Sequence, residues 1–150
     1  MAEFKRILYP VDLSEISHKI VPYVVALAAR FNADVHLLFV IASLEHFTNF
    51  YIPNPALNEL EEELTKGAKR KLEEFAEEHF KAYPAAVVTT TLGDPAEEIM
   101  KYAEAEAIDL IVMGTHGRKG LEKIIFGSVA NQVVKKSPVP VMTINPHLSQ

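Results

Sequence analysis

The 150-residue chain has no cysteine and no tryptophan, only six glycines, and a small excess of negative over positive charge. Without cysteine there can be no disulfide framework, thiolate metal site or cysteine nucleophile. No apolar run reaches the ~18 residues that a membrane helix needs. Fifteen Lys and Arg against 20 Asp and Glu give a net charge of −5. Nucleic-acid affinity depends on phosphate neutralisation, so an acidic chain with no basic stripe is not expected to bind nucleic acid. The opening MAEFKRILYP enters a strand-like pattern at once, without a signal-peptide h-region, and a cytoplasmic location is expected. His18, His36, His46, His79 and His147 show no metal-ligand spacing. They read as structural or surface groups, and no metal site is expected.

What is present is an ordinary globular composition, 49% apolar and 23% charged, in a length that suits one domain over residues 1–150. Apolar periodicities alternate along it. RILYPVD (6–12) reads as a strand. Ser14 then opens a helical pattern with Ile16, Ile20, Val24, Leu27, Ala28 and Phe31 on one face. Pro22 inside that pattern predicts a kink or a late helix start. ADVHLLFVI (33–41) has the near-continuous apolar character of a strand buried on both faces. Asn54-Pro55 begins a long amphipathic helix to about Phe80, its stripe made by Leu57, Leu60, Leu64, Ala68, Leu72, Phe75 and Ala76.

AAVVTTTLG (85–93) is a third strand, and Asp94-Pro95-Ala96-Glu97 has the cap, first-turn proline and acidic third position that launch a helix to about Ala107. DLIVMGT (109–115) is a fourth strand. A helix capped by Ser128 runs through Lys136, and VPVMTIN (139–145) is the fifth strand. Alternating strands and helices of this kind predict an α/β fold: one open five-stranded parallel sheet, order 3-2-1-4-5, with helices on both faces. Ligands in such sheets sit beyond the carboxyl ends of the strands, where the strand order reverses.

That is where the glycines gather. GTHGRKGLEKIIFGS (114–128) holds four of the six and follows the fourth strand directly. Neither a P-loop nor a dinucleotide-binding glycine pattern is present. The spacing is instead G-x-x-G, nine residues, then G-S: Gly114, Gly117, Gly127 and Ser128. The second pair sets amides at a helix N-terminus, which favours an anion. Arg118, Lys119 and Lys123 lie between the two pairs, and Arg118 and Lys119 read as rim charges that would raise an on-rate.

G-x-x-G-x9-G-[ST] in this place resembles the ATP-binding signature of the universal stress protein family. The likeness extends to ILYPVDLS, LLFVI, GDPAEEI and the whole stretch from Asp109 to Ile144. The resemblance implies a Rossmann-like fold of the adenine nucleotide alpha hydrolase kind. It also implies ATP or another adenine nucleotide as ligand, with or without Mg2+. Adenine would lie between Asp12 and the Val40 backbone, and ribose near Pro10, Val11 and Gly114. Phosphates would be held by Gly114, His116, Gly117, Gly127, Ser128, Val129 and Ala130, with Met113 also part of the expected site. Ala130 has no hydroxyl, so Ser128 alone offers one there.

Two readings of Asp12 stand side by side: an acceptor for an adenine amino group or a ribose hydroxyl, and a capping aspartate in a strand–turn–helix connection. No catalytic residue stands out, since Glu122 is the one acidic residue within 114–130. A nucleotide-binding sensor or regulator in a stress response is therefore expected, with a slow ATPase or an adenylyl-transfer enzyme as the alternative. A phospho-receiver module would need an aspartate ending the third strand, which ends Thr91-Leu92-Gly93 instead. Phe47, Phe50 and Tyr51 in the 42–53 connection are expected to close over the ligand or pack on a neighbour. The last strand, Val139 to Ile144, carries no charge and lies at the sheet edge, so a homodimer through that edge is expected.

Overall fold

Five β-branched and aliphatic segments pair in the computed structural model into one parallel sheet. They are β1 (Arg6–Pro10), β2 (Asp34–Ala42), β3 (Val87–Gly93), β4 (Leu110–Gly114) and β5 (Val141–Ile144). The order is β3-β2-β1-β4-β5, as expected. The structure describes residues 2–42, 55–83, 85–115 and 127–147. Among the described residues, four α-helices lie between strands: α1 (Val21–Phe31), α2 (Pro55–His79), α3 (Pro95–Ala105) and α4 (Ser128–Lys136).

The pleat sorts strand residues onto two faces. Ile7, Tyr9, Val35, Leu37, Leu110 and Val112 point to one side, against Val24 and Ala28 of α1 and Leu72 of α2. Leu8, Leu38, Ile111 and Met113 point to the other, against Ala96, Ile99 and Ala103 of α3 and Ala130 and Val133 of α4. Each buried Val, Leu, Ile or Met among them contributes about 1.5–3 kcal/mol. β1 is central, in register with β2 through Arg6↔Asp34 to Pro10↔Leu38 and with β4 through Ile7↔Leu110 and Leu8↔Ile111.

The structure bears out one expectation of the sequence reading and corrects two. The first helix starts late, well after Ser14 opens the pattern, as Pro22 predicts. A 3-10 turn covers Ser17–Lys19, and the α-helix begins at Val21 with Pro22 in its first turn, where a missing N–H costs nothing. Phe31, Leu60 and Leu64 continue the apolar periodicity of their helices but remain 43%, 45% and 46% exposed. α4 is capped by Gly127 rather than Ser128, and no side chain caps it. The expected lid residues Phe47, Phe50 and Tyr51 lie outside the described residues.

Two local features follow from chain chemistry. Asp94 caps α3 by accepting the Glu97 amide at 3.1 Å. Just before it, Gly93 has φ +150, and a Cβ there would meet the Glu98 Cγ at 2.7 Å, so only glycine fits.

On the α3 side of the sheet, buried His36 of β2 pairs its Nδ1 with the Tyr102 hydroxyl at 2.8 Å, and that hydroxyl lies 3.5 Å from Thr89 Oγ1. Burial lowers the His36 pKa below the usual 6.5, and of the nearby charges Glu106 and Asp34 oppose this while Arg6 adds to it. The unfolded chain therefore binds more protons at this group than the folded one. Its stabilisation is complete above about pH 6.5 and is lost as the pH falls through the lower folded value. The expected outcome is that the stability of wild type relative to His36→Asn declines on acidification from pH 7 to pH 5, read by urea unfolding. Parallel pH profiles for the two proteins would refute it.

Candidate functional site

The chain runs β1, β2 and β3 in one direction from the centre, then crosses to β4 and β5 on the other side. Strand order therefore reverses between β1 and β4, and a crevice opens at their carboxyl ends. Three pieces of backbone meet there.

The first is the exit from β1. Val11 adds one rung beyond the strand, its amide bonded to the Leu38 carbonyl at 2.8 Å, while its side chain is buried against α1. Asp12 then turns the chain. Its Oδ1 accepts the Ser14 amide at 3.0 Å and the Ser17 hydroxyl at 2.6 Å. Leu13, between them, has φ +57, a conformation that non-glycine residues adopt at a cost and that clusters at functional turns. Beneath the turn, the Tyr9 hydroxyl donates to the Ser17 carbonyl at 2.7 Å. Burial holds the Tyr9 phenol far above its usual pKa, so it stays a donor.

The second piece is the end of β2. The Leu38 carbonyl faces β1, and by the alternation of the pleat the Val40 peptide groups face the same way. Since the β1 register ends at Pro10↔Leu38, those groups point past the end of β1 into the crevice.

The third piece joins β4 to α4. Gly114 pairs with Ile144, and Thr115 continues the ladder with its amide on the Ile144 carbonyl at 2.9 Å. The carbonyl of buried Thr115 then accepts the Gly127 amide at 2.6 Å. A Cβ at Gly127 would lie 3.3 Å from that same oxygen, a close approach that the pinned carbonyl has little freedom to relieve. The first turn of α4 has no side-chain cap and no acidic residue. Its intrahelical ladder begins with the Asn131 amide on the Gly127 carbonyl. The amides of Ser128, Val129 and Ala130 precede that first bond, so their partners must come from outside the helix.

The structure thus brings together Pro10, Val11 and Asp12 at the end of β1, Val40 on β2, Met113 and Gly114 on β4, and Gly127 to Ala130 at the start of α4. His116 and Gly117 lie outside the described residues. Met113 and Ala130 bury their side chains in the α3–α4 cluster, so what they can present at the crevice is backbone. Sequence reasoning missed Thr115 and Ser17. Nothing in composition marks Thr115. Ser17 follows Ser14 by three residues, the spacing of one turn, but no pattern shows that its hydroxyl turns inward. Among the described residues, no group of three or more His, Asp or Glu is placed to hold a metal ion.

Comparison with known proteins bears on the family and the fold. A model of the universal stress protein family matches residues 3–145. The chain belongs to that family. Among its relatives, the universal stress protein MJ0577 of Methanocaldococcus jannaschii is 36% identical over 157 residues, covering 94% of each chain. The solved structure of MJ0577 superposes with a TM-score of 0.81, covering 99% of this chain and 100% of that one. UspA from Lactobacillus plantarum also has a TM-score of 0.81, at 27% identity, with 97% and 100% covered. More distant universal stress proteins share the fold. One solved in complex with cAMP has 19% identity, a TM-score of 0.64 and coverage of 97% of this chain and 99% of that one. One from Arabidopsis thaliana with AMP bound has 20% identity, a TM-score of 0.62 and coverage of 94% and 91%.

The tight junction at Gly127 has a direct consequence. Gly127→Ala should destabilise this universal stress protein by about 1 kcal/mol, since alanine is a poor N-cap and its Cβ crowds the Thr115 carbonyl. Chemical denaturation giving equal or greater stability for the variant would show that the junction relaxes freely.

Proposed function

We propose that this universal stress protein is a single-domain cytoplasmic chain that binds an adenine nucleotide, ATP first among them, across the carboxyl ends of β1, β2 and β4. It acts as a nucleotide-dependent sensor or regulator in a stress response rather than as a fast enzyme. The observation that carries this reading is the uncapped first turn of α4, held at the switch point by the 2.6 Å Gly127–Thr115 bond. Among the described residues, no side chain caps these helix amides and no carboxylate lies in the first turn, and with the positive end of the helix dipole this favours a phosphate.

Adenine lies between Asp12 and the Val40 peptide groups, and ribose near Pro10, Val11 and Gly114. Phosphates sit at Gly114, His116, Gly117 and the Gly127 to Ala130 turn. Asp12 serves both of its readings at once in this proposal, because Oδ1 holds the turn while Oδ2 faces the ligand. Support also comes from distant relatives of the same fold, which hold cAMP in one case and AMP in another.

Titration calorimetry with ATP and GTP tests the site. Gly127→Val should weaken ATP by at least ~2 kcal/mol, about thirtyfold. Asp12→Ala should cost ~1.5–3 kcal/mol for ATP and narrow its preference over GTP. Unchanged ATP affinity in both variants, with the fold intact by circular dichroism, would overturn the proposal.

The same chain is proposed to form a homodimer through β5. Pro140 and Ile144 direct their carbonyls to β4, so by alternation Val141 and Thr143 turn their peptide groups outward along the edge of the sheet. Met142 of β5 is 40% exposed, and nearby α4 leaves Val134 47% exposed. Two such edges can pair antiparallel about a two-fold axis. Light scattering at micromolar concentration should give a dimer for wild type and a monomer for the Val141→Lys/Thr143→Lys double variant. A monomeric wild type, or a double variant that stays dimeric, excludes this edge as the interface.

A further inference from the structure

The turn after β1 contains a polar chain that the nucleotide site does not by itself explain. Tyr9 donates to the Ser17 carbonyl at 2.7 Å, and the Ser17 hydroxyl donates to Asp12 Oδ1 at 2.6 Å. Tyr9 is 2% exposed and Ser17 3%, so neither can reach a molecule in the crevice. Asp12 itself is half-buried at the crevice. The Ser17 backbone is fixed as well: its amide bonds the Ser14 carbonyl at 3.1 Å, and its carbonyl also accepts the Ile20 amide at 3.2 Å. Ser17 is therefore a donor locked in place from below.

Two donors converge on one carboxylate oxygen, the Ser14 amide and the Ser17 hydroxyl. A carboxylate has about four acceptor sites in all, so the second oxygen keeps its own for something else. Holding the carboxylate in one orientation before a ligand arrives removes the ordering cost that a freely rotating side chain would impose. It also fixes what is recognised. An acceptor-only oxygen at a set position bonds the exocyclic amino group of adenine and repels a carbonyl oxygen at the same place in guanine. A carboxylate free to rotate would lose that discrimination by turning away.

We infer that Ser17 is a positioning residue, anchored by Tyr9, that aims the Asp12 carboxylate and so sets the preference for adenine over guanine. This inference rests on the nucleotide reading of the site, and the experiment separates the two. Calorimetry with ATP and GTP, together with melting temperatures, is run on wild type, Ser17→Ala, Ser17→Thr, Asp12→Ala and the Asp12→Ala/Ser17→Ala double variant.

Ser17→Ala should weaken ATP about tenfold and GTP much less, the size expected for one hydrogen bond to a charged group. Ser17→Thr, which keeps the hydroxyl, should restore the wild-type ratio. In the Asp12→Ala background the second substitution should change neither affinity, because Ser17 acts only through Asp12. If Ser17→Ala does not fold, Ser17→Cys replaces it, since a thiol is a weak donor of similar size. A wild-type ATP-to-GTP ratio in the Ser17 variant, even with a lowered melting temperature, makes Ser17 a structural residue only and overturns the inference while leaving the nucleotide reading intact. A wild type that binds no ATP, or an Asp12→Ala variant that binds it undiminished, defeats the underlying reading instead.

Discussion

The 2.6 Å bond from the Gly127 amide to the Thr115 carbonyl joins the end of a buried strand to the start of a helix. Its two partners are 12 residues apart in the chain, yet the bond sets them side by side at the rim of the sheet. Thr115 is in turn bonded to Ile144 of β5, so the helix start is referenced to the ladder rather than to a loop. The site depends on this. Helix amides can act on an anion only if they point at a fixed place, and here the place is the reversal of strand order. Glycine suits the junction because a Cβ there would crowd the Thr115 carbonyl at 3.3 Å.

The two helical layers then have separate tasks. The α3–α4 face buries Met113 and Ala130 beside the site, which turns two residues of the expected binding set into packing residues. Their amides and carbonyls can stay at the crevice because their side chains are committed to the core. The α1–α2 face buries Tyr9 and Val11 and so holds the other rim. A ligand at the crevice would touch one rim built on each cluster, and the parallel sheet is what keeps the rims at constant separation.

Asp12 is observed as a turn residue, and the binding role proposed for it would use the rest of the same carboxylate. Its Oδ1 replaces the hydrogen bonds that the chain loses on leaving β1, while Leu13 takes the strained left-handed conformation that the turn requires. The cost of Leu13 is offset by the ordering of Asp12, Ser14 and Ser17 around it. The turn occupies Oδ1, so the recognition proposed for Asp12 would fall to the other oxygen of the same carboxylate.

Much of this was legible in the amino-acid order. Continuous apolar runs separated by amphipathic ones imply a covered parallel sheet, because such strands have no polar face to give to water. The Asp94-Pro95 start of α3 and the glycine spacing at 114–128 are local chemistry, and local chemistry is written in sequence. Periodicity misjudged Phe31, Leu60 and Leu64, since it marks a helix's apolar stripe but not where the sheet beneath it ends. It also placed Ser128 as a cap, where the long-range bond to Thr115 makes Gly127 the cap instead. The inward turn of Ser17 and the choice of Asp12 Oδ1 as its acceptor were likewise decided by tertiary structure. The bonds involved join residues only five or eight positions apart. The direction of the Ser17 side chain nevertheless depends on how the turn packs, with Tyr9 buried against the helices of the α1–α2 face, and periodicity along the chain does not record that packing.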